Sequence, residues 1–433
     1  MPTRPNVLVF FTDQQRWDTV GCYGNPMNLT PNLDALARRG AQFEHAFTCQ
    51  PVCGPARASL QTGLYATAAG VWHNDMLLAE NLPTLADGFN AGGYDTGYIG
   101  KWHLFNNAAG PVPKQHRGRY RHWVASNVLE FTSHPNDGVI YDADNRPIRM
   151  NGYRVDRMTD LAIDFISQPR QGPFFLCLSY LEPHFQNDMQ RFVAPDGYAA
   201  RYQNPYVPLD LAGHEGDWPR ELPDYYGMCA SLDENLGRLL GELSRRGQLE
   251  NTIVCFVTDH GCHFRTRNDE YKRSCHESSI HIPLVLAGPG LAGGKKIPQL
   301  VSLVDLPPTL LSAAGLPLPG PMHGRDLMPL VNGQAKDWLN EVFIQISESQ
   351  VGRAIRTDRW KYSALAPGRR GWQDGGSDLY VDDFLYDLAA DPWEQTNLIA
   401  SPQHHEILAH LRQRLIARMV AAGESAPKIG PRA

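Results

Sequence analysis

The chain has 433 residues, 42% of them hydrophobic and 20% charged, with a formal net charge of −6. That length can bury one large α/β core and a smaller second one. The acidic balance gives no basic surface for nucleic acid, and the chain has no run of about 18 apolar residues to span a membrane.

Met1-Pro2-Thr3-Arg4-Pro5 leads straight into the short apolar run Val7–Phe11, and Asp13 follows with no small-residue cleavage site. This reads as a first buried strand, Asn6–Thr12, and not as a signal peptide, so a cytoplasmic location is expected. The eight cysteines (22, 49, 53, 177, 229, 255, 262 and 275) form no spaced framework and no Cys-x-x-Cys pair. A disulfide scaffold is therefore not expected. Cys177 and Cys255, inside apolar strand-like runs, read as inert core residues.

Asp13-Gln14-Gln15 stand at the end of the first strand. In an open α/β sheet, ligands bind just past the C-terminal strand ends. Two oxygen-bearing side chains there suit a hard divalent cation, and a turn with an Asx cap is the alternative. Thr30–Gly40 carries a threonine cap, Pro31 at the first helical position and a glycine stop, which predicts a short amphipathic helix. Phe43–Phe47 then leads to the stretch Cys49-Gln50-Pro51-Val52-Cys53-Gly54-Pro55-Ala56-Arg57-Ala58-Ser59-Leu60-Gln61-Thr62-Gly63. Pro55 fits a first helical turn, so Cys53 stands just before a helix, facing unpaired N–H groups that favour anions. Arg57 adds a cation with a planar donor fork. The local physics is that of a nucleophile held against a tetrahedral oxyanion, although Cys-x-Pro-x-Arg alone also describes a cysteine before an ordinary helix.

Gly70-Val71-Trp72-His73-Asn74-Asp75 reads as a pocket-lining or a solvated loop. Asp95–His103 reads as a strand ending in Lys101-Trp102-His103, whose alternation puts Lys101 and His103 on one face. A cation and an imidazole there can grip an anion and move a proton, or form a surface pair. Residues 105–155, with little periodicity, read as excursions over the mouth of a site. A helix over 156–168 and a buried strand over 173–180 follow, with Leu181-Glu182-Pro183-His184 at the strand's end. Asp224–Gly247 is a long amphipathic helix striped by Met228, Leu232, Leu236, Leu239, Leu240 and Leu243. The buried strand Thr252–Thr258 then delivers Asp259-His260-Gly261. Lys272 and His276 precede a strand over 281–287, Arg273 reads as a solvated charge, and a helix is expected over 301–315. Beyond about residue 335 come short strands over 341–347, 352–357, 360–364 and 384–388, and a final helix over 402–422.

The whole stretch from Cys49 to Tyr65 resembles the signature of the type I sulfatases, members of the alkaline-phosphatase-like superfamily. The likeness continues in order through Gly100-Lys101-Trp102-His103, His184, Asp259-His260, Lys272, Asp305-Leu306-Pro307-Pro308-Thr309-Leu310 and Asp387-Leu388…Asp391-Pro392…Glu394…Asn397-Leu398. It implies an α/β/α sandwich around a large, mostly parallel mixed sheet, with a small C-terminal antiparallel sheet and helix; the expected domains are 1–335 and 336–433. It also implies that Cys53 is oxidised to formylglycine by a maturation enzyme. Asp13, Gln14, Cys53, Asp259 and His260 are the implied metal ligands, although Gln14 is neutral where many members carry an acid. That set suits Ca²⁺, with Mg²⁺ or Mn²⁺ as alternatives.

The implied reaction is hydrolysis of a sulfate monoester. Hydrated formylglycine offers two hydroxyls on one carbon: one attacks sulfur, and loss of the other's proton expels sulfate. Arg57, Lys101 and Lys272 would stabilise the sulfuryl charge, His103 would be the base for release, and His184 and Lys272 would serve the leaving alcohol. At the mouth, His73, Asn74, Gln186, Asn187, Asp188, His276 and Arg353 are the expected substrate contacts, with Arg265, Arg267, Trp72 and Phe185 nearby. This mixture suits a small or oligomeric sulfated sugar better than an apolar aryl group. Where the family often continues His-x-Pro, the chain has His184-Phe185-Gln186, which leaves the substrate open. Two rivals are a phosphonate monoester or phosphodiester hydrolase, a group that does not usually carry the lysine and histidine seen at 101 and 103, and a non-catalytic anion-binding protein.

Overall fold

In a computed structural model that describes residues 4–291 and 293–432, the apolar run Asn6–Thr12 forms the central strand β1. Its side chains alternate between two layers: Val7, Val9 and Phe11 enter one apolar cluster, Leu8 and Phe10 the other. A strand covered on both faces needs no polar alternation, which is why its sequence reads as a continuous apolar run. At roughly 1.5–3 kcal/mol for each large apolar side chain fully buried, these contacts anchor the residue that follows, Asp13.

Around β1 the chain lays down α1 (Pro31–Arg39), β2 (Ala41–Phe47), α2 (Cys53–Thr62), α3 (Leu85–Ala91), β3 (Asp95–Lys101), β4 (His122–Ser126), β5 (Asp137–Tyr141) and β6 (Pro147–Asn151). Next come α4 (Arg154–Ser167), β7 (Phe174–Ser179), α5 (Leu209–Ala212), α6 (Trp218–Arg245), β8 (Thr252–Thr258), α7 (Glu277–Ile280), β9 (His281–Ile282) and β10 (Leu284–Ala287). β11 (Lys295–Ser302), α8 (Leu306–Ala313) and α9 (Met328–Val331) complete this part. The sheet order is β11-β2-β10-β8-β1-β7-β3-β4-β5-β6, with β9 paired to β2. β8, β1, β7, β3 and β4 pair in parallel, while β10 and β5 run against their neighbours. Helices α2, α3 and α8 cover one face and α1, α4 and α6 the other. This is the expected α/β/α sandwich, and it brings the C-terminal ends of the parallel strands to one edge.

Past residue 340, β12 (Glu341–Ile346), β13 (Gly352–Thr357), β14 (Trp360–Leu365) and β15 (Leu379–Asp387) form an antiparallel sheet, to which β16 (Lys428–Gly430) adds in parallel. Helix α10 (His405–Ala421) packs on one face through Leu408, Leu411, Leu415 and Met419. The other face, with Val342, Ile344 and Ala354, packs on Phe47, Cys275, Ile280 and Leu300. Among the described residues no helix is long and apolar enough to cross a membrane.

Three local expectations are corrected. Residues 105–155 are not excursions alone, because β4 continues the main sheet beside β3 and β5–β6 form its edge. Val301 and Ser302 belong to β11, and α8 starts only at Leu306, after a capping box between Ser302 and Asp305. The Thr30 hydroxyl does not cap α1; it accepts the Gly21 N–H at 2.8 Å. The carboxylate of Asp233 on α6 takes the Asn32 and Leu33 N–H groups instead, at 3.0 and 2.8 Å. The cap comes from a distant helix and leaves no local mark in the sequence.

Candidate active site

The C-terminal ends of β1, β3, β7 and β8 meet the start of α2. Val52 is extended and Cys53 is the first residue of the helix. The Gly54 N–H donates to Asn74 Oδ1 at 2.9 Å, so Asn74 satisfies one of the helix's terminal donors from a neighbouring loop. A Cβ at Gly54 would stand only 3.2 Å from that oxygen and 3.3 Å from the His103 carbonyl, so a side chain here would press on both.

Cys53 Sγ is buried 2.9 Å from Lys272 Nζ, 3.3 Å from His260 Nε2 and 3.5 Å from Asp13 Oδ1. Burial opposes its ionisation, but Lys101, Lys272 and His260 outweigh burial and hold the thiol well below its ordinary pKa. Asp13 Oδ2 lies 2.8 Å from Lys101 Nζ and 2.9 Å from Arg57 Nη2. Lys101 Nζ also reaches Glu130 Oε1 at 2.9 Å. Burial and Cys53 push the pKa of Asp13 up, yet Lys101 and Arg57 hold it well below the carboxylate range. For Glu130, burial is again overcome, chiefly by Lys101, and the pKa falls to about 2. Arg57 is fixed in place: Nη1 donates to the Lys101 carbonyl at 2.8 Å and to Ser179 Oγ at 2.6 Å, with the guanidinium over the Phe11 ring.

Asp259 Oδ1 accepts the N–H groups of Gln14 and His260 at 3.0 and 2.9 Å, while its buried Oδ2 has no hydrogen-bond partner. Burial and the nearby Asp13 push the Asp259 pKa up to about 6. His260 Nδ1 donates to the Gly261 carbonyl at 3.0 Å, which turns Nε2 toward the cluster, where the neutral ring would offer it to a metal. Ligand atoms of Asp13, Cys53, Asp259 and His260 all lie within 4.8 Å of one another, and all four residues are buried. Two adjacent carboxylates, one with an oxygen that makes no hydrogen bond and only a 3.5 Å contact to Arg57, beside an imidazole nitrogen fit a divalent cation, whose charge would relieve their mutual repulsion. Gln14 stands next to them in a left-handed backbone conformation (φ 66°), with its amide 3.5 Å from Cys262 Sγ.

Lys101 and His103 both reach the site, but not by strand alternation. β3 ends at Lys101, Trp102 turns into the apolar core, and His103 turns back at φ 53°. His103 Nε2 pairs with Asn107 Oδ1 at 3.1 Å, and its Nδ1 is buried without a partner. His184 Nδ1 donates to the Phe185 carbonyl at 2.6 Å, and Nε2 accepts from Lys272 Nζ at 3.2 Å.

A cavity of about 340 Å³ opens outward from this cluster. Gln14, Cys53, Asn74, His103, His184 and Lys272 line its inner part, while Asn187, Arg265, Phe185 and Trp372 lie farther along its wall. Arg57 and Lys101 stand behind Asp13, out of the cavity. A separate cavity of about 230 Å³ beside Arg16, Glu277 and Arg356 shares none of these residues.

Several expected substrate contacts lie elsewhere. Gln186 is buried, accepting from Arg154 Nη2 at 3.2 Å and donating to the Ser133 carbonyl at 3.1 Å. Asp188 pairs with His134 and Gln186. His276 is buried with Nε2 3.1 Å from the Tyr386 hydroxyl. Arg353 is buried on β13, bound to Glu424 at 2.9 Å and to the Gly375 carbonyl at 2.5 Å, and lines another cavity together with Trp72. Arg267 donates to the carbonyls of Trp393 and Glu394. His73 lies outside the cavity lining, its ring 5.6 Å from that of Trp372. Gln186, Asp188, His276, Arg353 and Arg267 each have a polar partner remote in sequence, while His73 accepts the Asp75 N–H at 3.1 Å. Arg273 is corrected too: it pairs with Glu270 and Glu348 on the cavity wall. Glu130, Asn107 and Trp372 carry no local signal in the sequence, since each stands in a short turn or loop whose partners are set by tertiary contacts.

Residues 5–316 match the sulfatase family model, and residues 269–421 match the C-terminal model of N-sulphoglucosamine sulphohydrolase. The ulvan-active sulfatase of Formosa agariphila is 30% identical over 98% of this chain and 82% of its own. The N-acetylglucosamine-6-O-sulfatase of Bacteroides thetaiotaomicron is 24% identical over 95% of this chain and 86% of its own. The crystal structure of a Bacteroides fragilis protein classed as a sulfatase aligns with a TM-score of 0.83 at 25% identity, covering 98% of this chain and 97% of that one.

Proposed function

Because this chain belongs to the sulfatase family and is a sulfuric ester hydrolase, we propose that it desulfates a sulfated saccharide, using a formylglycine made from Cys53 and one divalent cation. The observation that carries this is the setting of Cys53: a buried sulfur at a helix start, within 3.5 Å of Lys272, His260 and Asp13. The thiol stands where the oxygens of the matured residue would lie, and maturation requires an enzyme that oxidises this cysteine.

Asp13, Asp259, His260 and the Gln14 amide would hold the cation, with Ca²⁺ favoured and Mg²⁺ or Mn²⁺ as alternatives. When bound, it lowers the pKa of the attacking hydroxyl and draws charge from sulfate oxygens. The remaining roles fall to the chain's own side chains. Lys272 is the ammonium that borders the cavity, placed to meet a sulfuryl oxygen or the leaving oxygen. His184 accepts from that ammonium and so fixes its direction. His103 presents a partnerless Nδ1, a base for a proton released at residue 53, while Asn107 holds its other nitrogen. Arg57 and Lys101 act from behind Asp13, balancing its charge and orienting it. Asp13, Asp259 and Glu130 oppose Arg57, Lys101 and Lys272, so an added dication leaves the site positive, as an anionic substrate requires.

A saccharide suits a cavity lined by both amides and aromatic rings, and two of the relatives are named for ulvan and N-acetylglucosamine sulfates. The test compares kcat/KM of the matured, metal-loaded protein on sulfated sugars, an aryl sulfate and an aryl phosphonate. Sulfate esters are expected to lead the phosphonate by more than about a hundredfold, about 2.7 kcal/mol of transition-state discrimination. A phosphonate turned over faster than every sulfate ester would refute the sulfate assignment.

A further inference from the structure

On the sulfated-saccharide reading above, we infer that the substrate carries a second anionic group, a carboxylate or another sulfate, which Arg265 binds while the sugar ring lies against Trp372. The cations around Cys53 are committed to the reacting centre or to carboxylates of the chain. Lys101 is shared by Asp13 and Glu130, Arg57 is bound to Asp13, and Arg273 pairs with Glu270 and Glu348. Arg265 borders the same cavity and differs from them. Among the described residues its guanidinium makes no hydrogen bond, and its ion-pair contact, Asp217 Oδ2 at 3.6 Å, is an oxygen that already accepts the Tyr271 hydroxyl.

The guanidinium is nonetheless placed. It lies 4.8 Å over the Tyr271 ring and 5.9 Å from the centre of the Phe185 ring. Phe264 and Arg265 both adopt left-handed backbone conformations, φ 49° and 62°, an arrangement that costs free energy in non-glycine residues and is kept where surrounding structure imposes it. Phe185 follows His184, and Tyr271 precedes Lys272, so Arg265 sits one layer out from the pair that faces Cys53. A planar donor fork that makes no hydrogen bond, and only a 3.6 Å contact to a carboxylate oxygen already engaged by Tyr271, is the complement of a carboxylate or sulfate.

Trp372 supplies the other wall. It belongs to the loop between β14 and β15, is 45% exposed, and is backed by His73 and by the Arg273 guanidinium at 5.7 Å. A backed indole at a cavity mouth offers a flat apolar surface to a ring with polar edges. The cavity volume of about 340 Å³ is at the lower end for small-ligand pockets, so one sugar ring and its substituents fill much of it.

The experiment uses the matured, metal-loaded enzyme and one sulfated monosaccharide in three forms: otherwise neutral, with a carboxylate, and with a second sulfate. At least one anionic form is expected to exceed the neutral form in kcat/KM by about tenfold. Arg265→Gln should bring that ratio close to one, with Arg265→Lys in between, and Trp372→Ala should raise KM for the sugars. Which anionic form leads separates carboxylate from sulfate. A neutral form turned over as fast as both anionic forms, or a ratio unchanged in Arg265→Gln, overturns this inference alone. Absence of hydrolysis of all three forms overturns the sulfated-saccharide reading and this inference with it.

Discussion

Replacing Lys101 by methionine keeps a long unbranched side chain and removes one buried charge. Glu130 reports the consequence. Its pKa is depressed from 4.5 to about 2, against burial, chiefly by Lys101. At 1.36 kcal/mol for each pH unit, that depression is about 3.4 kcal/mol at pH 7, of which the ammonium supplies the larger part. Asp13 also loses an ion pair but keeps Arg57 at 2.9 Å. Lys101→Met is therefore expected to lower stability by about 2–3 kcal/mol at pH 7, just below the usual cost of breaking a buried pair. The sign follows from a depressed carboxylate pKa: the stabilisation is complete above 4.5 and is lost as the pH falls toward 2. The full Glu130 contribution should shrink to about 2.6 kcal/mol at pH 4 and about 1.4 kcal/mol at pH 3. Urea denaturation of the metal-free wild type and variant across this range measures it. A difference below about 1 kcal/mol at pH 7, or one that grows on acidification, refutes the coupling.

Metal-free protein should bind its divalent cation about tenfold more weakly for each pH unit below about 6, because the raised Asp259 pKa lets a proton compete for the ligand. Calorimetric titration with Ca²⁺ between pH 5 and pH 8 checks this, and a flat profile would count against Asp259 as a ligand. His103→Ala should slow sulfate release more than its transfer to the enzyme, giving a rapid burst of product alcohol and then a slow steady state. Equal loss of burst and steady state in stopped-flow traces would remove His103 from the release step.

The inner part of the site was legible because the family resemblance decided between readings that the local signals left open. Asp13 and Asp259-His260 end apolar runs that read as buried strands, and Cys53 precedes a proline suited to a helix's first turn. The outer part was not. Glu130 lies in a short turn, and only its approach to Lys101 gives it a role. Gln186, His276 and Arg353 looked like substrate contacts because a polar residue in a loop or strand does not reveal its partner. Those partners, Arg154, Tyr386 and Glu424, come from other elements. Thr30 shows the same limit at a helix cap, where Asp233 does the work expected of the local hydroxyl. Periodicity reports burial, and it does not report which polar groups meet within the buried layer.

Mass spectrometry of the tryptic peptide Gly40–Arg57 tests the central claim most directly. This peptide contains both Cys49 and Cys53, so fragmentation assigns any change to one of them. Cys49 is buried, with its thiol pushed up to about 12, and should remain a thiol. In active protein, residue 53 is expected to show the mass of formylglycine, with the thiol sulfur gone. Full sulfatase activity from protein whose Cys53 carries an intact thiol would contradict the account.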